Sequence, residues 1–287
     1  MTFEAPHTTG LASLDAVLQG VRAGDNIVWL IDSLEDYIAV VNPFVAQARR
    51  DGRKLVYFRF ARHPQLVPEG PGVTIHRVNP AEGFETFINT IRRHIEEGGV
   101  GAYYVFDSHS ELAREFYSDR MLGNFFLLTC PYLYELATIA LFGVYRNLHS
   151  YHAMQPMVET AQVVLNIYRH KKERYVYPLK ADGRYSPTMN MLHHWRGEEM
   201  EPVKESPVTA DVLTSLPWPG LPSASYRMVG LWDRRMMRAE ETLDAYRRRE
   251  VSKKSVEQMR DRLLPQIVSS DPHILKLARK YLALADV

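Results

Sequence analysis

The chain reads as an α/β protein: a mostly parallel sheet flanked by helices, with a C-terminal helical extension. Three observations carry that reading. Over residues 1–197, short apolar runs alternate with stretches of helical period. Over 198–225, Pro202, Pro207, Pro217, Pro219 and Pro222 crowd together. From Tyr226 onward, Val229, Trp232, Met236, Ala239, Leu243 and Tyr246 recur at three- and four-residue steps. The expected organisation is an α/β domain over 1–197, a proline-rich connector over 198–225 and a helical extension over 226–287.

Each element follows from its residues. Asn26–Ile31 is an apolar run of buried-strand length. Asp36–Arg50 has helical spacing, with Pro43 as a flaw in its first half. The Asp51-Gly52 turn leads into a strand over Lys54–Phe60, and Val73–Val78 is a weaker one. Glu82–Glu97 places Phe84, Phe87, Ile88, Ile91 and Ile95 on one side of a helix that stops at Gly98-Gly99. Val100–Phe106 is the next strand. Leu112–Leu128 is expected to be helical with a break near Gly123. Leu136–Phe142 is another strand, and Tyr145–Met157 is helical as far as Pro156. Ala161–Tyr168 and Arg174–Lys180 are β-rich runs around a charged turn, and Met189–Trp195 completes the strands. Strands alternating with helices imply a parallel sheet covered on both faces. In the connector a short helix is expected near Thr209–Thr214. Beyond it, helices are expected over Ser255–Val268 and from Asp271-Pro272, a cap followed by proline in the first turn. An end at Val287, just after the stripe Leu277, Tyr281, Leu284, reads as the cut end of a longer protein.

Composition bounds the function. With 287 residues, 46% hydrophobic and 24% charged, the chain has the make-up of an ordinary globular protein. A formal net charge of +1 gives no global attraction to nucleic acid or to an acidic membrane, so neither is expected as a partner. A single cysteine, Cys130, rules out an internal disulfide or a multi-cysteine metal site. No apolar run reaches the ~18 residues of a membrane span, and the N-terminus lacks the pattern of a secretory signal. The expected setting is cytoplasmic.

Three motifs occur in order. The first is Thr9-Gly10, then Leu14-Asp15, Leu18, Gly20 and Gly24 ahead of the first strand. The second is Tyr104-Val105-Phe106-Asp107-Ser108, an apolar strand ending in Asp-Ser. The third is Leu179-Lys180-Ala181-Asp182-Gly183-Arg184. Together they resemble the KaiC-like and RadA-like members of the RecA ATPase superfamily, a P-loop NTPase fold. That resemblance implies Asp107 as a Mg²⁺ ligand through water. It implies Ser33, Asp107 and Ser108 as nucleotide contacts. Lys180 and Arg184 would reach toward a neighbouring subunit's nucleotide. The plainer readings are a capped helix for the first motif, a capping residue for Asp107 and a solvated hairpin turn for the third.

The catalytic parts depart from the family pattern. A P-loop needs glycines that let backbone N–H groups crowd the phosphates, and a lysine for the outer ones. Here the position holds Asp32-Ser33-Leu34-Glu35-Asp36-Tyr37-Ile38, with no glycine, no lysine and three carboxylates. Where the family places glutamates that activate water, this chain has Ala61-Arg62-His63. Ala61 cannot accept a proton and Arg62 does not; His63 is the only one that could. The site is read as a degenerate Walker A with no assigned catalytic residue. Asp107, His109 and Glu111 are its candidates for an acid–base cluster, and ATP with Mg²⁺ its candidate cofactor. His149 and His152 sit at ligand-like spacing without a third ligand, and the His193-His194 pair beside Trp195 reads as a strand end. The run Arg169-His170-Lys171-Lys172-Glu173-Arg174 is a hydrated turn or a phosphate contact. Cys130 reads as a buried, inert thiol.

A second resemblance covers the far half. Arg184-Tyr185-Ser186-Pro187-Thr188-Met189, then Leu213-Thr214-Ser215-Leu216-Pro217-Trp218, then Ala239-Glu240-Glu241 with Ala245-Tyr246-Arg247, look like the N-terminal region of phosphoenolpyruvate synthase and pyruvate phosphate dikinase-like bacterial proteins. The resemblance implies an appended module ahead of a phosphotransferase domain. The function expected is therefore a degenerate RecA-like module that binds, assembles or regulates, with self-association or a downstream phosphotransferase domain as partner. The alternatives are an ATP-binding phosphotransferase or ATPase, and a nucleotide sensor using Asp107.

Overall fold

A computed structural model of the chain describes residues 6–116, 118–146 and 148–215. The elements run α1 (Ala12–Leu18), β1 (Asn26–Ile31), α2 (Leu34–Arg50), β2 (Leu55–Arg59), β3 (Val73–Arg77), α3 (Phe84–Gly98), β4 (Tyr103–Phe106), α4 (Ser110–Glu115), α5 (Arg120–Glu135), β5 (Ile139–Tyr145), α6 (Tyr151–Thr160), β6 (Val163–His170), β7 (Glu173–Ala181), β8 (His193–Arg196), β9 (Glu199–Pro202) and α7 (Ser206–Ser215). A 3-10 turn, Pro80–Glu82, precedes α3.

Among the described residues, the strands form one nine-stranded sheet in the order β3-β2-β4-β5-β1-β6-β7-β8-β9. From β3 to β6 neighbours are parallel; from β6 to β9 they are antiparallel. The protein is thus α/β with a mostly parallel mixed sheet, as the strand–helix alternation demands. β1, β2, β4 and β5 are buried along almost their whole length, because helices cover both faces. One face packs on α1 and α2 through Leu14, Leu18, Tyr37, Val40, Val41 and Phe44. The other packs on α3, α5 and α6 through Phe87, Ile91, Phe125, Phe126 and Met157.

Two glycines mark close approaches. A Cβ on Gly143 of β5 would lie 2.7 Å from the Tyr37 ring, so only glycine lets that ring cross the strand. The Tyr37 hydroxyl then donates to the carbonyls of Phe106 (2.9 Å) and Leu141 (3.0 Å), tying α2 to two strands. Gly10, at φ 80°, leaves no room for a Cβ against the Pro43 backbone, which fixes the Thr9-Gly10 turn on α2.

Several elements differ from the sequence expectation. α2 runs straight through Pro43, whose helix-interior penalty is about 3 kcal/mol. Burial of Tyr37, Val40, Val41, Phe44 and Val45 on one stripe, at about 1.5–3 kcal/mol for each side chain, outweighs it. The expected helix over 112–128 is two helices, α4 and α5, and the break falls before Gly123. Gly123 stays helical because α6 presses on it: a Cβ there would meet the Ala153 carbonyl and the Pro156 ring at 3.1 Å. The strand expected over 136–142 begins later, at Ile139, because Ala137 turns left-handed at φ 51° and ends α5. α6 consequently starts only at Tyr151, capped by Ser150. β9 was not expected at all, whereas α7 covers the short helix expected near Thr209–Thr214 in the same connector segment. The chain divides into two compact units, Met1–Val212 and Leu213–Val287; of the second, residues 213–215 are described, and the apolar stripe from Val229 to Tyr246 lies outside the described residues.

Candidate functional site

In a parallel sheet, ligands gather beyond the carboxyl ends of the strands where successive crossovers part. Here that point is the end of β1, because α2 leaves over one face while α6, following the neighbouring β5, covers the other. The segment that would be a phosphate loop, Asp32–Tyr37, lies at this point. Ser33 caps α2, its hydroxyl accepting the Asp36 N–H (3.3 Å) and donating to the Asp36 carboxylate (2.8 Å). Asp36 is fully buried, and its carboxylate meets Arg169 Nε at 2.6 Å and Arg174 Nε at 3.5 Å. Asp32 is clamped by Arg146, through Nε to Oδ1 at 3.1 Å and through a second contact from Nη2 to Oδ2. Arg146 in turn lies over the Tyr168 ring at 4.2 Å. The helix N-terminus, with its partial positive charge, is therefore already occupied by the chain's own carboxylates and their arginine partners.

Asp107, beyond the end of β4, is fully buried. Its Oδ1 accepts the Tyr57 hydroxyl. Its Oδ2 accepts Arg59 Nη1 (2.6 Å) and the backbone N–H groups of Phe60 and Ala61 (2.8 Å each). Those donors use most of a carboxylate's acceptor capacity. The Asp107 charge raises the Tyr57 and Tyr37 hydroxyl pKa values further, on top of burial, so both tyrosines stay neutral donors. The segment expected to supply a general base is spent on the same cluster. Ala61 donates to Asp107, Arg62 pairs with Glu115 at 2.8 Å, and His63 Nε2 accepts the Ser108 N–H at 3.2 Å. His63 Nδ1 lies 2.8 Å from the Pro64 carbonyl.

The other candidates fall as follows. Ser108 is fully buried and its hydroxyl has no partner. His109 is enclosed by Phe60, Phe106, Phe125, Phe126 and Phe142, with ring centroids 4.5–5.4 Å away. Burial pushes its pKa down to about 3, so it is neutral, with Nδ1 on the Asp107 carbonyl at 3.1 Å and Nε2 unpartnered. Glu111 pairs with Arg114 at 3.3 Å. Asp107, His109 and Glu111 do not form a hydrogen-bonded acid–base cluster among the described residues.

Lys180 and Arg184 lie at the other end of the sheet. Because β7 runs antiparallel to β6, Lys180 is opposite Val164, near the amino end of β6. Its ammonium caps the last turn of α6, donating to the carbonyls of Val158 (2.9 Å), Glu159 (3.3 Å) and Ala161 (2.6 Å). Arg184 is buried against Asp25, which precedes β1. The six residues of β1 put about 20 Å between that edge and Ser33, so within one chain the two sets do not meet.

Sequence reasoning missed Tyr57, Arg59, Arg146 and Ser110. Arg59 was the one visible signal, a charge inside the otherwise apolar run Leu55–Phe60. Ser110 Oγ accepts the Tyr145 N–H (2.8 Å) and bonds His149 Nε2 (2.7 Å), and burial lowers the His149 pKa to about 4. The His152 side chain lies outside the described residues. His193 is buried, while His194 bonds Glu173 (2.8 Å) and stacks on Tyr175, so the two point to opposite faces as strand neighbours do. Cys130 is fully buried and its thiol pKa is pushed up by burial, which leaves it unreactive. Among the described residues no group of three or more His, Cys, Asp or Glu is placed to hold a metal ion. No helix among them is long and apolar enough to cross a membrane.

No family model matches the chain, and none of the curated proteins compared with it shows significant similarity.

Proposed function

We propose that this chain is a catalytically silent RecA-like module that binds, assembles or regulates rather than hydrolyses ATP. On the sequence resemblance, it is the front part of a phosphoenolpyruvate synthase or pyruvate phosphate dikinase-like protein, in a cytoplasmic setting. One observation carries the reading: the N-terminus of α2 is filled by Asp36, which is paired with Arg169 and Arg174. A triphosphate entering there would meet carboxylates and would have to break those pairs. The engagement of Asp107 by Tyr57, Arg59 and two backbone N–H groups supports the same reading, since a metal-bound water would need to displace one of them.

The test is calorimetric titration with Mg-ATP and Mg-ADP together with a turnover assay on the wild type and on Ser33→Ala. We expect no turnover and no binding that depends on Ser33. Turnover, or binding abolished by Ser33→Ala, would overturn the reading. Binding of that kind without turnover would mark a nucleotide sensor at the α2 seat. The assembly half is tested by mass in solution: a strict monomer at high concentration would remove self-association.

A further inference from the structure

The antiparallel flank carries a cluster that the closed seat does not use up. The β6–β7 turn places Lys171 and Lys172 in the left-handed region, at φ 48° and 71°, and the β8–β9 turn is made at Gly197, φ 59°. These two turns and the adjoining strand ends line an open surface cavity of about 430 Å³. Its lining includes four cations, Arg169, Lys172, Arg174 and Arg196, against a single carboxylate, Glu173.

The arginines of the lining are held by fixed neighbours. Arg169 and Arg174 reach Asp36 only through Nε, which leaves the terminal nitrogens of both guanidinium groups without a hydrogen-bond partner among the described residues. Arg174 lies over the Trp195 ring at 5.7 Å, and that indole is itself fixed by donating to the Gly197 carbonyl at 2.8 Å. Trp195 is only 7% exposed, so it serves as a support for Arg174 and not as a platform for a base. Glu173 is turned to its own partners, His194 at 2.8 Å and Arg196 Nε at 3.6 Å. With four cations against Glu173 in the wall and Asp36 behind it, the lining keeps a net positive charge, which draws anions to it.

We propose that this cavity binds an oligophosphate chain, either inorganic pyrophosphate or the tail of a nucleoside triphosphate. Planar guanidinium forks match phosphate oxygens in pairs, and the lysine adds a point charge. A volume of about 430 Å³ is in the range of small-molecule sites and exceeds what one phosphate fills. Among the described residues, the lining has no exposed aromatic ring on which successive bases would stack, which sets it apart from a single-strand nucleic-acid groove. The proposal goes beyond the silent-module reading and does not depend on it.

The experiment is calorimetric titration of the full chain with pyrophosphate and with ATP, both without Mg²⁺, alongside inorganic phosphate and a short single-stranded DNA. Pyrophosphate is expected to bind more tightly than phosphate, with affinity falling as salt rises. Arg196→Ala and Lys172→Gln change exposed side chains and are each expected to weaken binding about tenfold, while Arg62→Ala, an exposed residue paired with Glu115 and outside the lining, leaves it unchanged. Equal affinity for ATP and pyrophosphate would identify the phosphate chain alone as the ligand; tighter ATP would identify the nucleotide as its source. Circular dichroism of the variants separates lost contacts from lost folding. No heat with either probe at millimolar concentration would overturn the proposal and leave the closed α2 seat standing. So would unchanged affinity in both cation variants, or tighter binding of the DNA than of pyrophosphate. Binding lost in Ser33→Ala but kept in Arg196→Ala would sink both readings together.

Discussion

The carboxyl end of β1 and the β6–β7 turn are neighbours that use charge in opposite ways. At the first, and at the end of β4 two strands away, Asp32, Asp36 and Asp107 are each met by arginines of the same chain, and Asp36 and Asp107 are fully buried. At the second, four cations surround one carboxylate and keep unshared donors. Arg169 and Arg174 belong to both regions: Nε of each meets the buried carboxylate, and both residues line the cavity. The lesson is that counting charged residues does not distinguish a framework from a site. What distinguishes them is whether each charge already has a partner inside the fold.

That contrast can be broken most forcefully at Asp107. Asp107→Ala leaves the Tyr57 hydroxyl and the Phe60 and Ala61 N–H groups without an acceptor in a buried place and strips Arg59 of its carboxylate, leaving it only the Ala61 and His63 carbonyls; it is expected to cost about 3–5 kcal/mol in urea unfolding. Arg196→Ala, on the cavity side, should change stability by no more than about 0.5 kcal/mol. If the two variants unfold alike, the division into framework and site is wrong.

Acidification gives a graded effect of intermediate size. His109 and His149 have pKa values lowered by burial to about 3 and about 4, while in the unfolded chain each titrates near 6.5. Between those limits the unfolded chain takes up protons that the folded one refuses. Stability is therefore full above pH ~6.5 and is lost as pH falls, by at most about 1.4 kcal/mol per pH unit for each histidine. The His149 contribution stops growing near pH 4 and the His109 contribution near pH 3. His109→Phe should flatten the unfolding profile between pH 6 and 4; an unaltered slope would remove His109 from the explanation. The smallest effect is expected from Arg62→Ala, which opens an ion pair to Glu115 whose arginine side is 79% exposed. Such pairs are worth about 0–1 kcal/mol, and double-mutant cycles with Glu115→Ala would measure it.

The sequence made the sheet legible because its strands are short apolar runs between helical stretches, and it made the missing glycines and lysine at Asp32–Tyr37 legible because that requirement is local. What closes the seat was not legible. Asp36 finds Arg169 and Arg174 more than a hundred residues away, and Asp107 finds Tyr57 and Arg59 across a neighbouring strand. Such pairings depend on which strands lie side by side, and periodicity does not report that. The placement of Lys180 and Arg184 at the far edge has the same origin: an apolar run looks the same whichever way it runs, and β7 runs backward. β9 escaped notice because Glu199, Glu201 and Pro202 are residues of a loop by composition, and only Met200 is buried.

That last strand ends the sheet, and its composition has a bearing on how copies of the molecule could join. Four residues long, with two acidic side chains and an imino acid that lacks an amide hydrogen, it offers a poor template for a foreign strand. Among the described residues, that margin therefore discourages growth of the sheet from one molecule into the next.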